Sequence, residues 1–147
     1  LVYALRERLT GQTPALIQLA TAIGLIWAGL VIAAGMLANV GAATAIRMLE
    51  SAPEHATAVW IAVNTVQNGL GGGNEIVGGI WVILVSLSAL RADRLPRALN
   101  YLGLVSGSAG VVTVVPALTE VGALFGIGLI AWFIWLGSVL IGHGGSR

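Results

Sequence analysis

The chain is predicted to be an all-α integral membrane protein, an antiparallel bundle of four transmembrane helices. Three observations carry this. The 147 residues are 57% hydrophobic and only 9% charged, with mean hydropathy +0.94; soluble domains carry about 25% charged residues. Apolar runs at residues 15–40, 74–90, 98–116 and 121–141 are each about long enough to cross a hydrocarbon core of ~30 Å at ~1.5 Å per residue. The seven arginines are gathered between runs and at the ends. A backbone in hydrocarbon has no water to bond, so these runs must be helical.

Residues 1–9 (LVYALRERL) pass from apolar to basic at Arg6 and Arg8. That pattern suits either the last turns of a helix leaving the membrane, with a further helix upstream, or a short helix lying on the headgroups. Thr13-Pro14 is a helix start, a hydroxyl at the N-cap and proline at the first helical position. The charge-free span 15–40 follows, and its helical pattern extends to Met48. Ala20, Gly24 and Ala28 recur every four residues, a stripe on which a neighbouring helix can approach closely.

Ser51-Ala-Pro-Glu54 reads as a capping box, with Ser51 as cap and a helix starting at Ala52. From there to Leu90 one helix would be roughly 58 Å long, too far for a single span. Gly71, Gly72 and Gly73 lie in between, and each internal glycine costs a helix about 1 kcal/mol relative to alanine. A break is therefore predicted there. Residues 52–70 become an outer-side segment with Trp60 near the headgroups, and residues 74–90 the true span. Arg91-Ala-Asp-Arg-Leu-Pro-Arg97 stops that span, and the next ends at Pro116. Thr119-Glu120 is predicted to begin the last helix. Gly103 with Gly107 and Gly122 with Gly126 form GxxxG pairs suited to tight helix packing.

Orientation follows from the arginines. Arg6, Arg8, Arg91, Arg94, Arg97 and Arg147 fall on one side of this arrangement; Arg47, with Glu50, Glu54 and Glu120, falls on the other. By the positive-inside rule both ends of the chain face the cytoplasm.

The stretch Gly78-Gly79-Ile-Trp81 to Leu90, then Leu95-Pro96-Arg97-Ala-Leu-Asn-Tyr101-Leu-Gly103-Leu-Val-Ser-Gly107, resembles a bacterial multi-pass membrane family, domain-of-unknown-function family 4386. Phe125-Gly126 and Trp132-Phe133-Ile-Trp135 fit the same pattern. The resemblance spans about residues 14–142. It implies a helical membrane fold in a bacterial inner membrane, with further helices upstream, and it brings no established activity. Asn100 stands where the family pattern leads one to expect glycine.

Chemistry is sparse. Glu75 is the leading candidate for binding a ligand or a proton, because ionisable groups at membrane depth are costly and often functional. Asn64, Asn68, Gly71 and Glu75 are spaced so that one face would carry them if a helix ran through the glycines, with Asn74 adjacent. The plainer account is a glutamate favoured by a helix N-terminus and amides that bond between helices or to solvent. Glu50, Glu54 and His55 fall short of a three- or four-ligand metal site. His143 suits the negative end of the last helix dipole. Trp27, Trp81 and Trp132 lie within spans, where they either pack between helices or line an apolar pocket.

Gly71-Gly-Gly-Asn74 lacks the lysine of a phosphate loop, and no hydrolase triad or zinc-protease helix is present. No enzyme activity and no cofactor are expected. The chain has no lysine and no basic face, so nucleic acid is not expected as a partner; lipid, other membrane subunits or further copies of the chain are. Absent cysteine excludes disulfides. The sequence therefore supports a non-enzymatic packing or accessory subunit first. The alternative is a small transporter or lipid- or small-molecule-binding protein using Asn64, Asn68, Asn74 and Glu75 beside a broken helix.

Overall fold

A computed structural model describes residues 1–10, 14–70 and 74–142. The described residues are helical throughout, with no strand: α1 (Val2–Leu9), α2 (Pro14–Met48), α3 (Pro53–Gly69), α4 (Glu75–Ala92), α5 (Arg97–Val112), a 3-10 segment (Pro116–Val121) and α6 (Gly122–Gly142). Three stretches are long and apolar enough to cross a membrane: Pro14–Met48, Glu75–Ala92 and Pro116–Gly142.

The chain forms two packing units. One comprises Leu1–Trp27 with Glu75–Arg147, the other Ala28–Asn74. The first is built around α4. Gly78, Gly79, Trp81, Val82, Val85, Ser86, Ser88 and Ala89 are buried and lie all round the helix rather than on one stripe, which is what a central helix requires. It packs along α5, and α5 packs on α6. From the other side α1 reaches α4, burying Leu5 and Leu9 at helical spacing. Thus α1 packs on the first unit through one face, with Tyr3, Ala4, Arg6, Glu7 and Arg8 exposed on the other.

The basic turn has a defined geometry. Asp93 takes a left-handed conformation (φ 49°). The Arg94 amide donates to the Ala89 carbonyl (3.3 Å) and the Asp93 amide to that of Leu90 (3.4 Å). This is a Schellman close, with aspartate where glycine is usual. Leu95 is buried beneath the turn. Arg97 and Asp93 form an ion pair (3.8 Å) that is largely exposed and adds little stability.

In the second unit, the later half of α2 packs on α3 to form a hairpin. Ala56, Val59, Val63 and Gln67 are the more buried positions of α3, spaced as one helical face. Gly41 lies against Val63, where an added methyl would sit 2.5 Å from Cγ1.

Several element boundaries depart from expectation. The first long helix does not: it runs from Pro14 to Met48, as the helical pattern indicated, about 52 Å at ~1.5 Å per residue. Ser51 caps nothing: α3 begins at Pro53 with Ala52 as N-cap and no side-chain capping bond. Proline cannot use an amide bond there, so its preset φ starts the helix instead. The predicted third span, 98–116, is helical only to Val112. Thr119 and Glu120 belong to the 3-10 segment, and α6 starts at Gly122. Thr119 Oγ1 donates to the Pro116 carbonyl (2.6 Å), tightening that turn rather than capping the next helix. The predicted glycine break separates α3 from α4, although Gly71, Gly72 and Gly73 lie outside the described residues.

Candidate functional site

The first unit has an apolar core, and large apolar side chains cover its outside as well. Along α5 the buried residues are Leu99, Asn100, Gly103, Ser106, Gly107 and Gly110. Beyond the first turn, where Arg97 and Ala98 are exposed, the exposed ones are Tyr101, Val105, Ser108 and Val112. Apart from Leu99, the buried groups are small or polar, while Tyr101, Val105 and Val112 face outward, with Val105 70% exposed. On α6 the buried row is Phe125, Leu129, Trp132 and Leu136, while Leu124, Ile127, Ile130, Ile134 and Ile141 are exposed. A folded protein in water does not display such rows, because each exposed side chain forfeits roughly 1.5–3 kcal/mol of burial.

The small inward residues set helix separation. A methyl on Gly79 would sit 2.5 Å from the Gly107 carbonyl oxygen, and one on Gly107 2.7 Å from that of Gly79. Backbone therefore rests on backbone where α4 crosses α5. Ser86 of α4 abuts Gly103 of α5, and Ser106 of α5 abuts Gly128 of α6. Between helices associating in lipid, such close approach supplies van der Waals contact in place of the hydrophobic effect.

Trp27, Trp81, Trp132 and Phe133 form one aromatic cluster from α2, α4 and α6. Ring centroids lie 5.3 Å apart for Trp27–Trp81, 5.8 Å for Trp81–Trp132 and 5.3 Å for Trp132–Phe133. Glycines receive the rings: Gly24 faces Trp81, and Gly78 faces Trp27 and Phe125. Of the two accounts of the mid-span tryptophans, packing is the one this geometry supports.

Polar groups inside are few. Thr21 and Ser88 donate to the carbonyl four residues back (2.6 and 2.8 Å). Asn100 is fully buried, and its Nδ2 donates to the Leu95 carbonyl (3.3 Å), tying α5 to the basic turn. Replacing Asn100 with leucine strands that buried carbonyl, and a loss of about 1–3 kcal/mol is expected in a detergent unfolding titration. Ser86 Oγ and Trp132 Nε1 are buried without a hydrogen-bond partner among the described residues. Ser86→Ala removes an unsatisfied hydroxyl and is expected to leave stability unchanged or raise it by up to about 1 kcal/mol in the same titration.

Glu75 is half-buried at the first position of α4. A methyl built on Gly122 would lie 3.5 Å from Glu75 Oε1 and 3.5 Å from Thr113 Cγ2. The carboxylate thus sits at a helix N-terminus, where the dipole favours it, beside the start of α6 and the end of α5. A methyl built on Gly110 would sit 2.5 Å from the Glu75 carbonyl oxygen. Asn74 is buried, adopts φ 60°, and its Oδ1 has no partner among the described residues. Asn64 and Asn68 are exposed on α3. Because α3 ends at Gly69 and α4 restarts at Glu75, helical spacing does not put Asn64, Asn68 and Glu75 on a common face. Among the described residues, no three acidic or histidine side chains converge as a metal site.

The packing residues read from sequence divide. Ala20, Gly24, Gly103 and Gly107 are buried. Ala28 is exposed, Gly122 has only ordinary contacts, and Gly126 has no described neighbour within 4 Å of an added methyl. Gly78, Gly79, Gly110 and Gly128 carry close contacts that spacing did not single out. A signal was available in Gly78-Gly79, a glycine pair inside a helix that the chain tolerates despite its cost.

Comparison with protein-family models, with curated proteins and with solved structures finds no match to this chain.

Proposed function

We propose that this chain is an integral membrane protein whose work is packing: a non-enzymatic accessory subunit or scaffold within a membrane assembly. One observation carries the reading, the rows of large apolar side chains left exposed on α5 and α6 (Tyr101, Val105, Leu124, Ile127, Ile130 and Ile134), around an interior where glycines let α4 and α5 meet backbone to backbone. Lipid is the solvent that makes this arrangement favourable. Four antiparallel spans follow if α5 also crosses. Its sixteen residues cover about 24 Å at ~1.5 Å per residue, and Thr113, Val114 and Val115 extend the apolar chain to the bilayer edge. The turn bearing Arg91, Arg94 and Arg97 lies in the cytoplasm on this proposal, in a bacterial inner membrane as the family resemblance implies. A transporter working at Glu75 is less supported, because the close packing of Gly110 there fills space that a substrate path needs.

The chain contains no cysteine, so single-cysteine variants need no background removal. Asp93→Cys is expected to react with a membrane-impermeant maleimide only after cells are opened, and Ser51→Cys in intact cells. The reverse pattern refutes the orientation. Recovery of the chain as a monodisperse species in detergent-free buffer refutes the membrane reading. Affinity purification in mild detergent is expected to bring down further membrane subunits or copies of the chain; a lone monomer counts against the accessory role.

A further inference from the structure

The α2–α3 hairpin contains a hollow of about 350 Å³. It lies between two closures. At one end α2 and α3 meet where Gly41 rests on Val63. At the other, residues 49–52 join the helices, with the Ala52 amide donating to the Met48 carbonyl (2.8 Å). Between them Ala42 and Ala45 on α2 and Ala56 on α3 present only methyl groups, and the space they leave is bounded by Ile46, Leu49 and Trp60. Its volume falls in the range of small-molecule sites, roughly 300–1,000 Å³.

The lining determines what can enter. No charged side chain contributes to it, and Thr57, its one polar residue, spends its hydroxyl on the Pro53 carbonyl (3.0 Å). A polar ligand would lose its hydration and find at most the Thr57 oxygen as acceptor and the Trp60 indole as donor, so most of its polar groups would go unpaired, at a cost of several kcal/mol. The occupant is therefore apolar. Its source is indicated by the surroundings: Ile46, Leu49 and Trp60 are themselves exposed, so the hollow opens onto the outer surface of the hairpin, which also displays Val40 and Ile61. Exposed Arg47, Glu50 and Glu54 flank it in sequence. They mark a polar boundary within a helical turn, and tryptophan is favoured at such a boundary.

We infer that this hollow seats an acyl chain of a membrane phospholipid, the headgroup remaining at the polar boundary beside Arg47 and Glu50. The inference rests on the membrane reading above and adds a discrete lipid seat to it.

The test uses the full chain in vesicles of phosphatidylethanolamine and phosphatidylglycerol doped with a phospholipid carrying a photoreactive diazirine on its acyl chain. Crosslinks are mapped by mass spectrometry. The exposed row Ile127, Ile130 and Ile134 of α6 reports general lipid contact. The hollow is expected to crosslink at least five-fold more per residue than that row, and Ala45→Phe or, from the opposite wall, Ala56→Leu to bring it down to the row's level. Equal yields at hollow and row in the unmodified chain overturn the seat, whatever the variants do. Absence of crosslinks on both overturns the membrane reading and the seat with it.

Discussion

Gly79→Val is expected to disrupt the first packing unit, at a cost of about 3 kcal/mol or more, the upper end of what overpacking a core produces. The reason is geometric. The atom that an added Cβ meets is the backbone carbonyl oxygen of Gly107, at 2.5 Å, followed by the Val111 amide nitrogen at 3.1 Å. Neither can rotate away as a side chain would. Relief requires α4 and α5 to move apart, which releases the reciprocal contact of Gly107 on Gly79 and the seating of Ser86 on Gly103. Gly126→Ala is the matched control. No described atom lies near its added methyl, and alanine is the better helix former by about 1 kcal/mol. Unfolding of the purified protein in mixed detergent micelles, followed by circular dichroism, checks both. A Gly79→Val protein as stable as the parent would mean that α4 and α5 do not cross at these glycines.

Trp81→Ala is expected to cost about 3 kcal/mol, the lower end of the ~3–5 range for such truncations in water-soluble cores. Trp81 is 1% exposed, and its ring meets Trp27, Trp132 and Phe133 at centroid distances of 5.3, 5.8 and 6.1 Å. Deleting it opens a cavity at the meeting of α2, α4 and α6. The lower figure follows from the surroundings: a helix released into lipid keeps its apolar groups out of water, so little hydrophobic transfer energy is lost and the cavity carries most of the effect. Trp81→Phe retains part of the ring stacking and should fall between. The same titration checks the series, with half-exposed Trp135→Phe as the near-neutral comparison. Equal effects at Trp81 and Trp135 would contradict a shared aromatic core.

The legible parts of this molecule were those governed by one-dimensional chemistry. Apolar runs force helices because hydrocarbon offers the backbone no other partner, and they placed α2, α4 and α6 within a few residues. The helix start at Pro14 and the stop before Pro96 follow from proline's missing amide and restricted neighbour. Local signals failed where two of them competed. Ser51 and Pro53 both invite a helix start, and the proline prevailed. Pro116 and Thr119 both mark a beginning, and a tight 3-10 segment used both.

The candidate site was less legible. Asn64, Asn68 and Glu75 align only on an uninterrupted helix, and the chain interrupts it. The GxxxG spacing matched both Gly103 with Gly107, which are buried against α4, and Gly122 with Gly126, which are not. Spacing places residues on one face of a helix; it does not say which face meets a neighbour.

By itself, then, the sequence determined that this chain is helical, greasy outside as well as in, and poor in groups that could do chemistry, because these depend on the count and order of side chains. Only the tertiary structure decided which glycines touch, that three tryptophans and a phenylalanine share one core, and that alanines leave a hollow between α2 and α3. Those depend on contacts between residues far apart in the chain. In a protein whose outer and inner surfaces are both apolar, hydrophobic patterning carries no sign of which side faces in.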